Sequence, residues 1–342
     1  MTRSLSRFLK AALPCAASLV CATAASAQDV NLYTTREPGL IQPLMDAFTK
    51  ATGIKVNSIF VRDGLAERVA AEGARSPADV LMDVDIGALI NLVDRGLTQP
   101  VRSKVLESAV PANLRGGDGS WFALSLRART LYVRQDSTLT SFTYEQLADP
   151  RWKGKICTRA GQHPYNTALI AAYIAHYGEA RAETWLTGLK GGLARTAAGG
   201  DRDGARDIMG GVCDMAIGNS YYVGLMRSGA GGPDQLKWGA AIKVILPTFE
   251  GGGTHVNVSG AAIAKNSPNR AAAVRFLEYL VSDQAQKVYA EVNFEYPVKA
   301  GVAAHPIIAA LGSLKVDPLP LGEIARHRAT ASKLVDKVGY DR

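Results

Sequence analysis

Cysteine, histidine and long apolar runs are all scarce in this chain, and each scarcity removes a class of function. Four cysteines occur in 342 residues, and two of them, Cys15 and Cys21, lie near the N-terminus. The five histidines, His163, His176, His255, His305 and His327, are scattered without metal-ligand spacing. No G-x-S-x-G elbow, H-E-x-x-H pair or EF-hand loop is present. The Gly-rich stretch Glu250-Gly251-Gly252-Gly253 lacks the Gly-Lys-Ser/Thr of a phosphate loop. With no catalytic signature, the chain is expected not to be an enzyme. After the leader no stretch reaches transmembrane length. Lysine and arginine are interspersed with acids rather than clustered among aromatics, so nucleic acid is not an expected partner. There is no internal repeat and no low-complexity linker.

What is present begins with an export signal. Arg3, Arg7 and Lys10 form a positive n-region, Ala11 to Ala22 an apolar h-region, and Ala25-Ser26-Ala27 an A-x-A site. Residues 1–27 are therefore expected to be a signal peptide, cleaved after Ala27. A lipid anchor on Cys21 is the alternative, disfavoured by bulky Val20 before it. Loss of the three leader cations lowers the formal charge from +8 to +5. Only Cys157 and Cys213 then remain, and in an oxidising compartment one disulfide is their simplest use. A two-cysteine metal site is the competing reading.

The mature chain reads as α/β. Strand-like Val30–Thr35, Lys55–Phe60 and Ala78–Met82 alternate with helical segments near 40–52, 64–74 and 86–95. This order predicts a mostly parallel sheet, with ligands at strand carboxyl ends near 34–37 and 83–85. A long strand, 121–133, carries Arg127 and Arg129 on one face. Buried arginine without a partner is costly, so each needs an acceptor, as half of an ion pair or as part of an anion site. A second α/β block follows, and a single amphipathic helix is expected over 321–338.

Three tyrosines occupy similar places in that second block. Tyr165 follows a strand at the mouth of a helix, and Tyr221-Tyr222 follow the strand 214–217 inside the turn-forming run 218–224. They are either half-buried packing residues or phenols aimed into a cleft. Helix N-termini favour anions, including phenolate. An ordinary tyrosine has a pKa of about 10, so only a cation of high charge density holds phenolates near neutral pH. Hard oxygen donors and that charge requirement point to ferric iron. Three phenolates would neutralise Fe(III) and leave room for a small anion, which the guanidinium forks of Arg36 and Arg127 would suit.

Fragments through most of the mature chain carry a resemblance. They include Ser76-Pro77-Ala78-Asp79-Val80-Leu81, Arg127-Ala128-Arg129, Gly154-Lys155-Ile156-Cys157, Gly218-Asn219-Ser220-Tyr221-Tyr222 and Glu295-Tyr296-Pro297-Val298. With these the chain resembles a periplasmic ferric-iron-binding protein of the FbpA type, the substrate-binding component of an ABC iron importer. The resemblance implies a two-lobe, type II periplasmic binding protein with two crossing hinge strands and a ligand cleft between lobes. The expected N-lobe is 28–126 plus 255–298, and the C-lobe 127–254 plus 299–342. It also implies a monomer that serves an inner-membrane permease and its ATPase.

Carried over by position, Tyr165, Tyr221 and Tyr222 match the tyrosine ligands. Where many members have a histidine after the first strand, this chain has Glu37-Pro38. The pattern resembles the subgroup that adds a synergistic carbonate, here assigned to Arg36 and Arg127, with Glu37 as a further ligand in the competing arrangement. Two rivals to ferric binding stay open. One is a binding protein of the same scaffold for a polyamine, thiamine or phosphonate; the other is a secreted enzyme with a cleft nucleophile.

Overall fold

A computed structural model of the chain describes residues 29–342. The expected leader, its cleavage after Ala27 and the anchor alternative at Cys21 lie outside the described residues. Strands β1 (Val30–Thr34), β2 (Val56–Phe60) and β3 (Val80–Asp83) are parallel, with β1 between the other two. The helix Pro38–Thr52 connects β1 to β2 and buries Ile41, Leu44, Met45 and Phe48. It starts ahead of the apolar period because Pro38 suits the first turn, where an absent N–H loses no bond. Gly53, at φ 72°, ends it in the left-handed conformation that glycine adopts freely.

The remaining strands are β4 (Thr98–Gln99), β5 (Phe122–Arg134), β6 (Ile156–Cys157), β7 (Met215–Asn219), β8 (Ile242–Ile245), β9 (Val256–Ala264) and β10 (Tyr296–Pro297). Along the sheet the order is β2-β1-β3-β9-β5-β7-β6, with β4 pairing β9 and β8 and β10 pairing β5 off this path. The parallel expectation thus holds at the two ends, for β1–β3 and for β6 beside β7. At the centre it fails, because β9 is antiparallel to both β3 and β5, and β5 is antiparallel to β7 and β8. These two long strands carry the chain across and back without a crossover helix, which an antiparallel pairing permits. Thirteen-residue β5 spans roughly 40 Å. Its first half pairs with β9 and β10, and its second half with β7 and β8. One strand thereby belongs to both lobes.

The C-terminal segment also differs from expectation. It forms two helices, Leu321–Arg326 and Arg328–Val338, broken at His327 where ψ is 1°. The break lets the first pack against the helices Ile86–Asp94 and Pro164–Tyr177, and the second against Pro164–Tyr177 and Glu179–Gly191. Arg328, just past the break, reaches the Asp85 carboxylate that caps the helix Ile86–Asp94.

Two features fix the floor under the tyrosines. The expected bridge Cys157–Cys213 joins β6 to the turn entering β7, with Cα atoms 5.9 Å apart. Beside it Tyr132, Ile208, Ala216, Val223 and Met226 form a separate apolar cluster. The second feature is Arg129, 2% exposed. Its guanidinium donates to Asp201 at 2.7 Å, to Asn166 Oδ1 at 2.6 Å and to Asn219 Oδ1 at 3.0 Å. Asp201 also accepts the Asn219 backbone N–H at 2.9 Å. Asn166 follows Tyr165, and Asn219 precedes Ser220-Tyr221-Tyr222, so one buried cation ties both tyrosine-bearing junctions together.

Two outcomes follow for stability. Cys157→Ala with Cys213→Ala should lower the unfolding free energy by about 2–4 kcal/mol, read from denaturant titration, because the bridge closes a loop with a sequence separation of 56. Arg129→Met removes the 2.7 Å partner of the buried Asp201 carboxylate, leaving it, among the described residues, only the Arg159 cation at 3.5 Å, and should cost about 3–5 kcal/mol. Adding Asp201→Leu to it should restore part of that loss; strict additivity of the two changes would mean the pair is not coupled.

Candidate metal site in the interlobe cleft

β6 ends at Cys157, and the chain turns through 158–163 into the helix Pro164–Tyr177. His163 caps this helix: its Nδ1 accepts the Tyr165 N–H at 3.2 Å. Burial, aided by the Arg159 charge, pushes the His163 pKa down to about 4, so the ring is neutral and free to accept. Tyr165 therefore sits in the first turn of the helix, not in the loop before it. β7 runs directly into the helix Ser220–Arg227, without the intervening loop that Gly218 and Asn219 suggested. Gly218 is in the strand because a Cβ there would lie 2.3 Å from the Tyr132 ring. The Ser220 hydroxyl accepts the Ala128 N–H at 3.1 Å, which pins the start of this helix to β5.

The two junctions bring the phenols into one cleft of about 350 Å³. The Tyr165 and Tyr221 hydroxyls are 3.5 Å apart, and the Tyr221 and Tyr222 rings are 4.0 Å apart, tilted by 33°. Facing them are Arg36 and Glu37 from the loop after β1, Val84 after β3, and Arg127 from β5. The six residues weighed for the ferric site, Tyr165, Tyr221, Tyr222, Arg36, Arg127 and Glu37, thus line this cleft, whereas Arg129 is paired with Asp201 and the cysteines are bridged. Among its other lining residues are Arg202, Asn293 and Glu295, none of them expected there from the sequence. Arg202 lies 5.5 Å over the Tyr222 ring. Glu295 stands in a fragment that carries the family resemblance, but nothing local marks it as a cleft residue.

The two arginines differ in what they already hold. Arg36 donates to the buried Glu295 carboxylate at 2.8 Å and to the Ser259 hydroxyl. Its charge is thus met by an internal partner as well as facing the cleft. Burial alone would raise the Glu295 pKa, but Arg36, Arg127 and the Ser125 hydroxyl hold it below its ordinary value. Arg127, 2% exposed, donates to the carbonyls of Val84 and, at 2.7 Å, Val258. Among the described residues no carboxylate lies within ion-pair distance of it. Burial opposes its charge, yet the acidic groups around it, Tyr165 foremost, hold its pKa above the ordinary arginine value. A buried cation of this kind calls for an anion in the cleft. Glu37 is exposed and begins the helix Pro38–Thr52 without a side-chain capping bond.

Tyr221 and Tyr222 are held protonated in the absence of a cation. Burial, then the proximity of Tyr165 and Tyr222, pushes Tyr221 well above its ordinary range. Burial, followed by Tyr165 and Asp201, also raises Tyr222. Among the described residues no three His, Cys, Asp or Glu side chains gather in metal-binding fashion. The convergent oxygen donors in this cleft are the phenols, and a hard, highly charged ion is what could displace their protons.

Comparison with known proteins agrees with this chemistry. Residues 33–287 match the family described as bacterial extracellular solute-binding protein. Iron uptake protein A2 of Synechocystis sp. is 42% identical over 320 residues, covering 92% of this chain and 91% of that one. The solved Bordetella ferric binding protein is 63% identical, with a TM-score of 0.89, covering 92% of this chain and 100% of its own. A Trichodesmium protein (IdiA, FutA) in complex with iron and citrate ligands is 40% identical, with a TM-score of 0.87, covering 91% of this chain and 99% of its own. The chain belongs to the bacterial extracellular solute-binding protein family, within its group of iron uptake and ferric-binding proteins.

Proposed function

We propose that this chain is a periplasmic carrier that binds Fe(III) through Tyr165, Tyr221 and Tyr222 together with a small synergistic anion. It would deliver the ion to an inner-membrane ABC permease and its ATPase, acting as a monomer and catalysing no reaction. The observation that carries this reading is the convergence of three phenols beside Arg127, a buried guanidinium with no carboxylate of its own. Phenolates supply negative charge that the hard cation demands, and Arg127 supplies a fork for the oxyanion that completes its coordination. Carbonate is the anion favoured here. Arg127 is its principal holder and Arg36 the secondary one, since Glu295 already engages Arg36. Glu37 is assigned outside the coordination sphere. We assign 127–254 with 299–342 to one lobe, which then carries all three phenols, and 28–126 with 255–298 to the other.

Capture and release follow from proton balance. Each phenol that ligates gives up one proton, so capture is favoured as pH rises and weakened as it falls. Release would follow protonation, loss of the anion, or reduction to Fe(II), whose lower charge holds phenolate less well.

Iron-stripped protein given Fe(III) and bicarbonate should develop a visible phenolate-to-iron charge-transfer band. Tyr165→Phe, Tyr221→Phe and Tyr222→Phe should each weaken the band and the affinity; a Tyr222→Phe protein with undiminished ferric affinity would remove that residue from the ligand set. Because Tyr221 and Tyr222 are raised above the ordinary phenol range, both are protonated at neutral pH before iron arrives. Loading in weak buffer should therefore release protons, one fewer per iron in Tyr222→Phe than in the parent. Apparent affinity should climb with pH across the neutral range, and a pH-independent affinity would contradict phenolate ligation.

A further inference from the structure

The segment Asn293-Phe294-Glu295, between the helix Asp283–Asn293 and β10, holds features that the phenol site does not use. Phe294, at φ 55°, is the only non-glycine residue with positive φ among the described residues. That conformation is strained for a side chain with a Cβ, and it persists only where packing enforces it. Here the enforcing neighbour is Gly224, on the helix that carries Tyr221 and Tyr222: a Cβ on Gly224 would lie 2.3 Å from Phe294 Cγ. The His305 ring closes the other side, with centroids 4.7 Å apart. The left-handed turn sets the residues on either side of Phe294 along the cleft. Glu295 is committed to Arg36. Asn293 is 4% exposed, and among the described residues neither its Nδ2 nor its Oδ1 has a hydrogen-bond partner.

An unpaired buried amide is unfavourable, and strain that presents one to a ligand cleft points to a bound partner. We propose that Asn293 is a specificity-determining residue, its Nδ2 donating to an oxygen of the anion that accompanies the metal. The inference rests on the ferric reading and deepens it. An amide suits this position because Glu295 is held ionised two residues away, so a second acid would repel the anion. A second guanidinium would add positive charge beside Fe(III), whereas a neutral donor adds a bond without altering the charge balance. The chemical class recognised is a small oxyanion with planar oxygens, carbonate or a carboxylate.

The test titrates mature protein plus Fe(III) with bicarbonate and, separately, with citrate, reading the anion concentration that gives half of the charge-transfer band. Asn293→Ala should need about tenfold more anion, and Asn293→Asp more still, with the band at saturating anion unchanged. The apo Tm of Asn293→Ala should equal or exceed that of the parent, because an unpaired amide is removed. A shift with bicarbonate alone supports carbonate as the anion, and a shift with citrate alone supports a polycarboxylate. Unshifted midpoints for both anions, with a normal parental band, would overturn this inference and leave the ferric reading standing. A lowered apo Tm with unshifted midpoints would make Asn293 a structural residue and overturn it equally. Absence of any band in the parent would overturn both readings. Asn293→Ser carries the same test should either variant fail to fold.

Discussion

The geometry of the cleft depends on one buried charge. Arg129 lies at the middle of β5 with Asp201 as its counter-ion, both almost wholly removed from water. Desolvating such a pair costs about as much as its attraction returns, so it is poor as a source of stability. Its directional bonds are what matter. The guanidinium plane fixes Asn166 on one helix and Asn219 at the mouth of another, while Asp201 holds the Asn219 backbone. Phenol oxygens from two separate junctions come within 3.5 Å only because those junctions share this fixed centre. An apolar residue at 129 could fill the volume but would have no donors to set either junction.

The cleft itself is arranged by unequal charge compensation. Among the described residues Arg129 has a full partner in Asp201, Arg36 has one in Glu295, and Arg127 has only backbone carbonyls. Electrostatic demand therefore rises towards Arg127, which lies 5.7 Å from the Tyr165 ring. Tyr221 and Tyr222 resist ionisation in the same low-dielectric space. A weakly charged cation cannot reverse that resistance, and a neutral organic ligand would leave Arg127 unmet. A trivalent cation with an oxyanion answers both demands at once, which is why the arrangement favours the ferric reading over a stacking pocket for an organic molecule.

Much of this was legible because it is encoded locally. Strand-to-helix junctions are marked by turn-formers over a few residues, so Tyr165, Tyr221 and Tyr222 could be placed without the fold. Cys157 and Cys213 were the only pair left once the leader was set aside. Arg129 announced itself as a charge in an apolar strand and required the acceptor that Asp201 proves to be. The rest depends on pairings distant in sequence. Glu295 meets Arg36 across a separation of 259 residues, and no local pattern records such a contact. The segment of β9 was legible as a crossing strand, but its antiparallel place at the sheet centre was not, since alternation of strands and helices describes only the connections it sees. The break at His327 follows from which helices the tail meets, and the apolar period runs straight through it.

On the proposed division of lobes, the phenols come from one body, while Arg36, Glu37, Asn293 and Glu295 come from the other. β5 contributes Arg127 at the junction, where its partner changes from β9 to β7. Iron capture could then begin on the phenol-bearing lobe alone. Closure would supply charge cover and hydrogen bonds to the anion, with few or no new metal bonds. In such an arrangement the second lobe controls retention chiefly through the anion. Phe294 packed on Gly224 makes the point of contact, because it ties the second lobe to the helix that carries Tyr221 and Tyr222. Loosening that contact would expose the anion before the metal, and once the anion leaves, the remaining phenolates face solvent and protons. Release can thus proceed in steps, each weaker than the sum, without any single step having to break all of the iron's bonds.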